Sequence, residues 1–187
     1  MAGTISGWGA AYAFSQANWG GKLPFARLLE SAIAYARDGF PVTHSQEANT
    51  RNKLPELHNQ AGFASAFLNH QGQVPRYGES HSFPKLASTL LQLAKAGADD
   101  FYRGELAEQI ANDLSAVGSP ISLRDLNHHQ AQVKVPLSLR LSNATVYNMA
   151  PPTQGLASLL ILGIFDRIRQ KGWTPDNVEG IHALVEA

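Results

Sequence analysis

Residues 156–170, LASLLILGIFDRIRQ, constrain this chain more than any other stretch. From Leu156 to Phe165 only Ser158 and Gly163 interrupt the apolar run. A helix built on it is apolar nearly all round, not along one stripe, so both of its faces must be covered. A bilayer does not provide that cover, because a spanning helix needs about twenty apolar residues. Protein must provide it. The charge content points the same way. Charged residues make up 16% of the 187, fewer than the roughly 25% of a typical soluble domain. Fifteen Lys and Arg balance fifteen Asp and Glu, whereas isolated domains usually keep their net charge away from zero. Part of this surface is therefore expected to be occupied by something else. No basic excess of the kind that nucleic-acid binders carry is present.

The first two-thirds of the chain read as short helices separated by turns. Residues 3–18 are rich in Ala and aromatics, with Ile5, Trp8, Tyr12 and Phe14 spread round the circumference, which predicts a buried helix. Pro24 suits a first helical position. Leu28, Leu29, Ala32, Ile33 and Ala36 follow at helical spacing up to Gly39. A second such helix begins at Pro84, carries Leu86, Leu90, Leu91 and Ala94, and ends at Gly97. A third runs from Leu106 through Ile110 and Leu114 to Gly118. Residues 55–82 are rich in Gly, Gln, Asn and His and predict a long irregular loop with one helical turn near Phe63 to Leu68. After Gly118 the pattern changes. Ser122 and Asp125 form a capping-box signature for a short helix through Asn127. Residues 133–141 and 144–149 then read as two strands joined at Ser142 and Asn143, with Pro136 near the start of the first. Pro151 and Pro152 end the second strand, and Gln154 and Gly155 lead into the apolar helix. The polar segment KGWTPDN precedes a last helical start, VEGIHALVEA. The predicted organisation is a helical part over 1–118 and a hairpin plus buried helix over 119–187. The first helix has almost no lead-in and the last stops uncapped at Ala187, so the chain is expected to be a cut piece. Its N-terminus lacks the positive region of a signal peptide.

No complete active site follows from residue chemistry alone. The absence of cysteine excludes disulfides, thiol nucleophiles and thiolate metal sites. His44, His58, His70, His81, His128, His129 and His182 form no H-x₃-H pair, so neither a metal nor a cofactor is expected. The glycine-containing stretches GTISGWG and PPTQG lack phosphate-loop spacing, and no serine has a G-x-S-x-G setting. Asp99 and Asp100 precede FYRGELA at a helix start, where carboxylates suit the dipole.

The order of motifs is more specific. GTISGW is followed by GGKLPFARLLESAIAYARDGFPV, GADDFYRGELAEQIA, GSPISLRDLNHHQA, PLSLRL, ATVYNMAPPTQG and HALVEA. Over nearly all of its length the chain resembles the middle of the large subunit of γ-glutamyltranspeptidases, with FYRGELA and PPTQG the most specific anchors. The resemblance implies an α+β fold: a mostly helical fragment with a two-stranded segment, part of an αββα N-terminal-nucleophile hydrolase sandwich. It implies a precursor that cuts itself before a threonine, which becomes the first residue of a small subunit and uses its own amine as base. It also implies partners: that small subunit, the rest of the large subunit and a small amide substrate, with no nucleic acid and no membrane. The family's catalytic threonine falls beyond Ala187, and its arginine for the substrate α-carboxylate falls before Met1. No catalytic residue is therefore expected within these 187. The turn Thr153–Gln154–Gly155 is the one place where an active-site wall is expected. Two departures stand out: Ala2 replaces a usual proline, and Ala150 to Gly155 replace a PPPSSGG run. The second weakens γ-glutamyl specificity and brings in the oxamate amidohydrolase branch, which acts on a small amide of purine degradation. A reading of another class also stays open, a non-catalytic helical module that binds a partner through its apolar helix. Cytoplasm and periplasm are both compatible with these residues.

Overall fold

A computed structural model describes residues 3–169 and 177–187. Ala2, Gln170 and all but the last residue of KGWTPDN lie outside the described residues. The chain divides into two compact units, Met1–Ala131 and Gln132–Ala187.

The first unit is helical. Helices α1 (Thr4–Trp19) and α2 (Phe25–Asp38) are followed by β1 (Phe40–Pro41), α3 (His44–Leu57) and α4 (Phe63–Phe67). Strand β2 (Ser80–His81) and helices α5 (Pro84–Ala96), α6 (Asp100–Arg103), α7 (Glu105–Ala116) and α8 (Leu123–His128) complete it. The 3–4 spacing of apolar residues builds its core: Leu29, Ile33 and Ala36 of α2 meet Ala87, Leu90 and Leu93 of α5, with Leu106 of α7. Gly39 stops α2 at a φ of 97°, in the left-handed region that favours glycine. A second cluster joins Tyr102, Ala107 and Leu126. Through Leu126, α8 packs on α6 and α7. It therefore belongs to the first unit, and the division falls after Ala131 instead of at Gly118. The capping box that opens α8 is formed in full: Ser122 Oγ accepts from Asp125 N at 3.4 Å, and Ser122 N–H donates to Asp125 Oδ2 at 2.9 Å.

Two expectations for this unit need correction. Helix α1 forms, but it has no buried residue; Trp8 and Phe14 are each 42% exposed and Trp19 is 77% exposed. Its apolar residues point all ways, and within the described residues only one side has neighbours. Residues 55–82 are also more ordered than an irregular loop. Strands β1 and β2 pair antiparallel, Phe40 opposite His81. Helix α3, which has no apolar stripe to announce it, is capped by Thr43 Oγ1, which accepts from Gln46 N at 3.1 Å. Polar contacts hold α3 in place of an apolar stripe. Glu47 accepts from Arg51 Nη2 at 2.8 Å and from Tyr77 N at 2.7 Å, and the His44 and Tyr77 rings stack at 3.7 Å.

The second unit contains the hairpin of β3 (Leu137–Arg140) and β4 (Thr145–Asn148), with Leu139 opposite Val146, followed by α9 (Gly155–Arg169) and α10 (Val178–Glu186). Both strands are shorter than the sequence predicts. Helix α9 lies against both strands, and α10 packs on α9. Buried Leu159, Gly180 and Ala183 mark the contact region. A Cβ on Gly163 would come 3.0 Å from Leu139 Cδ2, so glycine sets how closely α9 lies on the hairpin. The cover on α9 is one-sided among the described residues: Leu156, Leu160, Ile161, Leu162 and Ile164 are exposed.

Candidate functional site

The expected wall, Thr153–Gln154–Gly155, sits where β4 hands over to α9. The strand ends at Asn148, the Pro151–Pro152 peptide is cis, and the chain turns into the helix at Gly155. Four contacts lock this turn. Thr153 Oγ1 lies 3.1 Å from the carbonyl oxygens of both Met149 and Ala150, to which its hydroxyl donates. The same Oγ1 accepts from Gly155 N at 3.3 Å. Asn148 Oδ1 turns back to accept from Met149 N at 2.8 Å. Gly155 is buried, and a Cβ there would lie 2.1 Å from Met149 O and 2.9 Å from Asn148 Oδ1. The strand end and the helix start are thus in backbone contact, which only glycine permits.

Thr153 and Gln154 are both exposed. The Gln154 backbone oxygen accepts from Ser158 N at 3.0 Å and Ser158 Oγ at 3.1 Å. Its side-chain amide makes no hydrogen bond among the described residues. Thr153 and Gly155 therefore build the turn, while Gln154 presents a free amide upon it. No charged side chain occurs from Leu141 to Phe165, so the face offered here is neutral. Asn148 and Asp166 support the site without having been picked out from sequence. Asp166 accepts from Ser142 N at 2.9 Å and Ser142 Oγ at 2.6 Å, pinning the hairpin turn to α9. Neither residue sits in a recognisable motif; the Ser142 to Asp166 contact spans 24 residues and needs the fold to reveal it. Beside it an open hollow of about 440 Å³ is lined by Leu139, Ser142, Leu159 and Ile164 together with the charged Arg140, Asp166 and Arg167.

The other candidate groups take structural roles. Asp100 accepts from Glu105 N at 3.2 Å and Leu106 N at 3.4 Å, satisfying the free amides at the start of α7, and Asp99 pairs with Arg103. His81 is buried, and its Nε2 donates to Ala66 O at 2.8 Å. His58 and His128 bond carbonyls one turn back on their own helices. His129 lies beside the Tyr102 ring, and its Nε2 is buried without a partner. Among the described residues no group of three His, Cys, Asp or Glu is placed to hold a metal, and no helix is long and apolar enough to cross a membrane. Two carboxyls held below their ordinary range are likewise structural. Side-chain and backbone bonds from Ser122 lower Asp125, and the Tyr77 N–H followed by Arg51 lowers Glu47.

A sequence model described as gamma-glutamyltranspeptidase matches residues 1–187. The chain is 48% identical over its whole length to an oxamate amidohydrolase proenzyme of Klebsiella pneumoniae, of which it covers 35%. It is 34% identical over 173 residues to glutathione hydrolase 5 proenzyme of Rattus norvegicus, covering 89% of this chain and 30% of that protein. It thus spans about a third of the length of these relatives. Among solved structures, the gamma-glutamyltranspeptidase of Pseudomonas nitroreducens complexed with L-DON superposes with a TM-score of 0.82 at 29% identity. That match covers 98% of this chain and 53% of the other. The two-stranded sheets within a mostly helical chain are an α+β fragment of that fold.

Proposed function

Because the chain belongs to the γ-glutamyltranspeptidase family, we propose that it is the middle part of the large subunit of a threonine-dependent amidohydrolase or acyltransferase. The observation that carries this reading is the match over the full 187 residues. In the proposed reaction a threonine hydroxyl of the small subunit attacks the donor amide carbonyl. The free amine of that threonine takes the hydroxyl proton and returns it to the departing amine, leaving an acyl ester. Water or a second amine then takes the acyl group and frees the hydroxyl. This chain's share is scaffold: the β3–β4 hairpin and α9 hold the turn Thr153–Gln154–Gly155 as one neutral wall beside the substrate. The small subunit and the rest of the large subunit cover the exposed face of α9.

A second reading narrows the donor to a small acid amide of the oxamate type. It is supported by the 48% identity to the Klebsiella protein and by PPTQG, which departs from the family's usual run. An assay of the full-length precursor with a chromogenic γ-glutamyl anilide and with oxamate tests both readings. Turnover of the anilide supports the first, ammonia release from oxamate alone supports the second, and no self-cleavage with no turnover of any small amide refutes both.

A further inference from the structure

We infer that Gln154 is the specificity-determining residue of the neutral wall and that its side-chain NH₂ hydrogen-bonds an oxygen of the donor amide. This rests on the amidohydrolase reading above and deepens it. Four polar side chains stand at the turn, and three are used within the chain. Asn148 Oδ1 holds Met149 N, Thr153 Oγ1 is shared among Met149 O, Ala150 O and Gly155 N, and Ser158 Oγ donates to Gln154 O. Gly155 has no side chain and is closed off by the Met149 carbonyl. Of the four, only the side chain of Gln154 makes no hydrogen bond at all among the described residues, and Gln154 is exposed. Its backbone is held from both sides, by the Thr153 contacts before it and by Ser158 after it, so the amide stands on a rigid base.

The chemistry of the surroundings selects the ligand group. From Leu141 to Phe165 no side chain is charged, so this stretch itself offers no cation to pair a carboxylate and no anion to pair an ammonium. The NH₂ groups of Gln154 and of the less exposed Asn148 are neutral side-chain donors without a partner among the described residues, and the matching atom is a carbonyl or carboxylate oxygen. Gln154 thus fits a donor amide that presents a carbonyl or carboxylate oxygen at this turn.

The test uses the full-length processed protein and its Gln154→Ala, Gln154→Glu and Thr153→Val forms. Each is assayed on oxamate, which carries a carboxylate, and on its uncharged diamide counterpart. Losing one neutral hydrogen bond should raise KM about 3- to 10-fold in Gln154→Ala, with kcat nearly unchanged. In Gln154→Glu, like-charge repulsion should raise KM for oxamate about 10-fold more than for the neutral diamide. Thr153→Val should leave the ratio of the two KM values at the wild-type level while lowering the melting temperature. Normal turnover with wild-type KM values in both Gln154 variants, or an equal rise for both amides in Gln154→Glu, overturns the assignment and leaves the amidohydrolase reading standing. No turnover of either amide by the wild-type protein overturns that reading and this assignment together.

Discussion

A Cβ placed on Gly155 would lie 2.1 Å from the Met149 carbonyl oxygen, closer than any real contact. Gly155→Ala must therefore push α9 away from the end of β4, and about 1–3 kcal/mol of stability should be lost in denaturant titration. Thr153→Val removes the hydroxyl that ties Met149, Ala150 and Gly155 together. Loss of such a cap should cost about 1 kcal/mol, read as a lower midpoint with an unchanged m-value. These two residues were legible as a turn from PPTQG, because helix starts draw on such residues. Their roles were not legible. Which hydroxyl is consumed and which amide is left free depends on carbonyls three and four residues back, and no spacing rule reports that. For the same reason Asn148 and Asp166 were not visible beforehand.

Helices with an apolar stripe were readable, and α2, α5 and α7 lie where their 3–4 spacing and closing glycines put them. Leu93 is 1% exposed in the α2–α5 core. Leu93→Ala should cost about 2–5 kcal/mol, measured by equilibrium unfolding. Helix α3 was not readable, because the sequence HSQEANTRNKLPEL has little apolar periodicity and Pro55 lies inside it. Its support is a contact thirty residues away, the Tyr77 N–H on Glu47. That bond and Arg51 hold the Glu47 carboxyl below its ordinary range. The sign follows directly. A carboxyl lowered in the folded state stabilises the fold above its unfolded pKa, about 4.3 for Glu, and that support is lost as pH falls through the lowered value. Hydrogen exchange should find the Tyr77 amide protected at pH 6 and opening more readily as acid titrates Glu47. In Glu47→Gln the same amide should exchange faster at pH 6 and lose most of its acid dependence; unchanged protection would contradict the role given to Glu47.

For the molecule as a whole, the low, balanced charge and the apolar run at 156–165 pointed to surface that needs cover, and the exposed residues of α9 agree. The expected burial of α1 did not follow, since composition tells that a helix wants cover and not which neighbour gives it. The same limit applies to α9, whose hairpin side was legible and whose opposite side is exposed among the described residues. The account accordingly predicts that residues 1–187 expressed alone expose several hundred Å² of apolar surface and self-associate, seen as concentration-dependent mass in light scattering. A monodisperse monomer that melts cooperatively would favour an independent binding module instead. The central claim, a segment of a self-processed amidohydrolase, is tested most directly by intact mass and N-terminal sequencing of the natively purified full-length protein under denaturing conditions. The account predicts two polypeptides, the smaller beginning with threonine and the larger containing this chain. A single uncleaved polypeptide would contradict it.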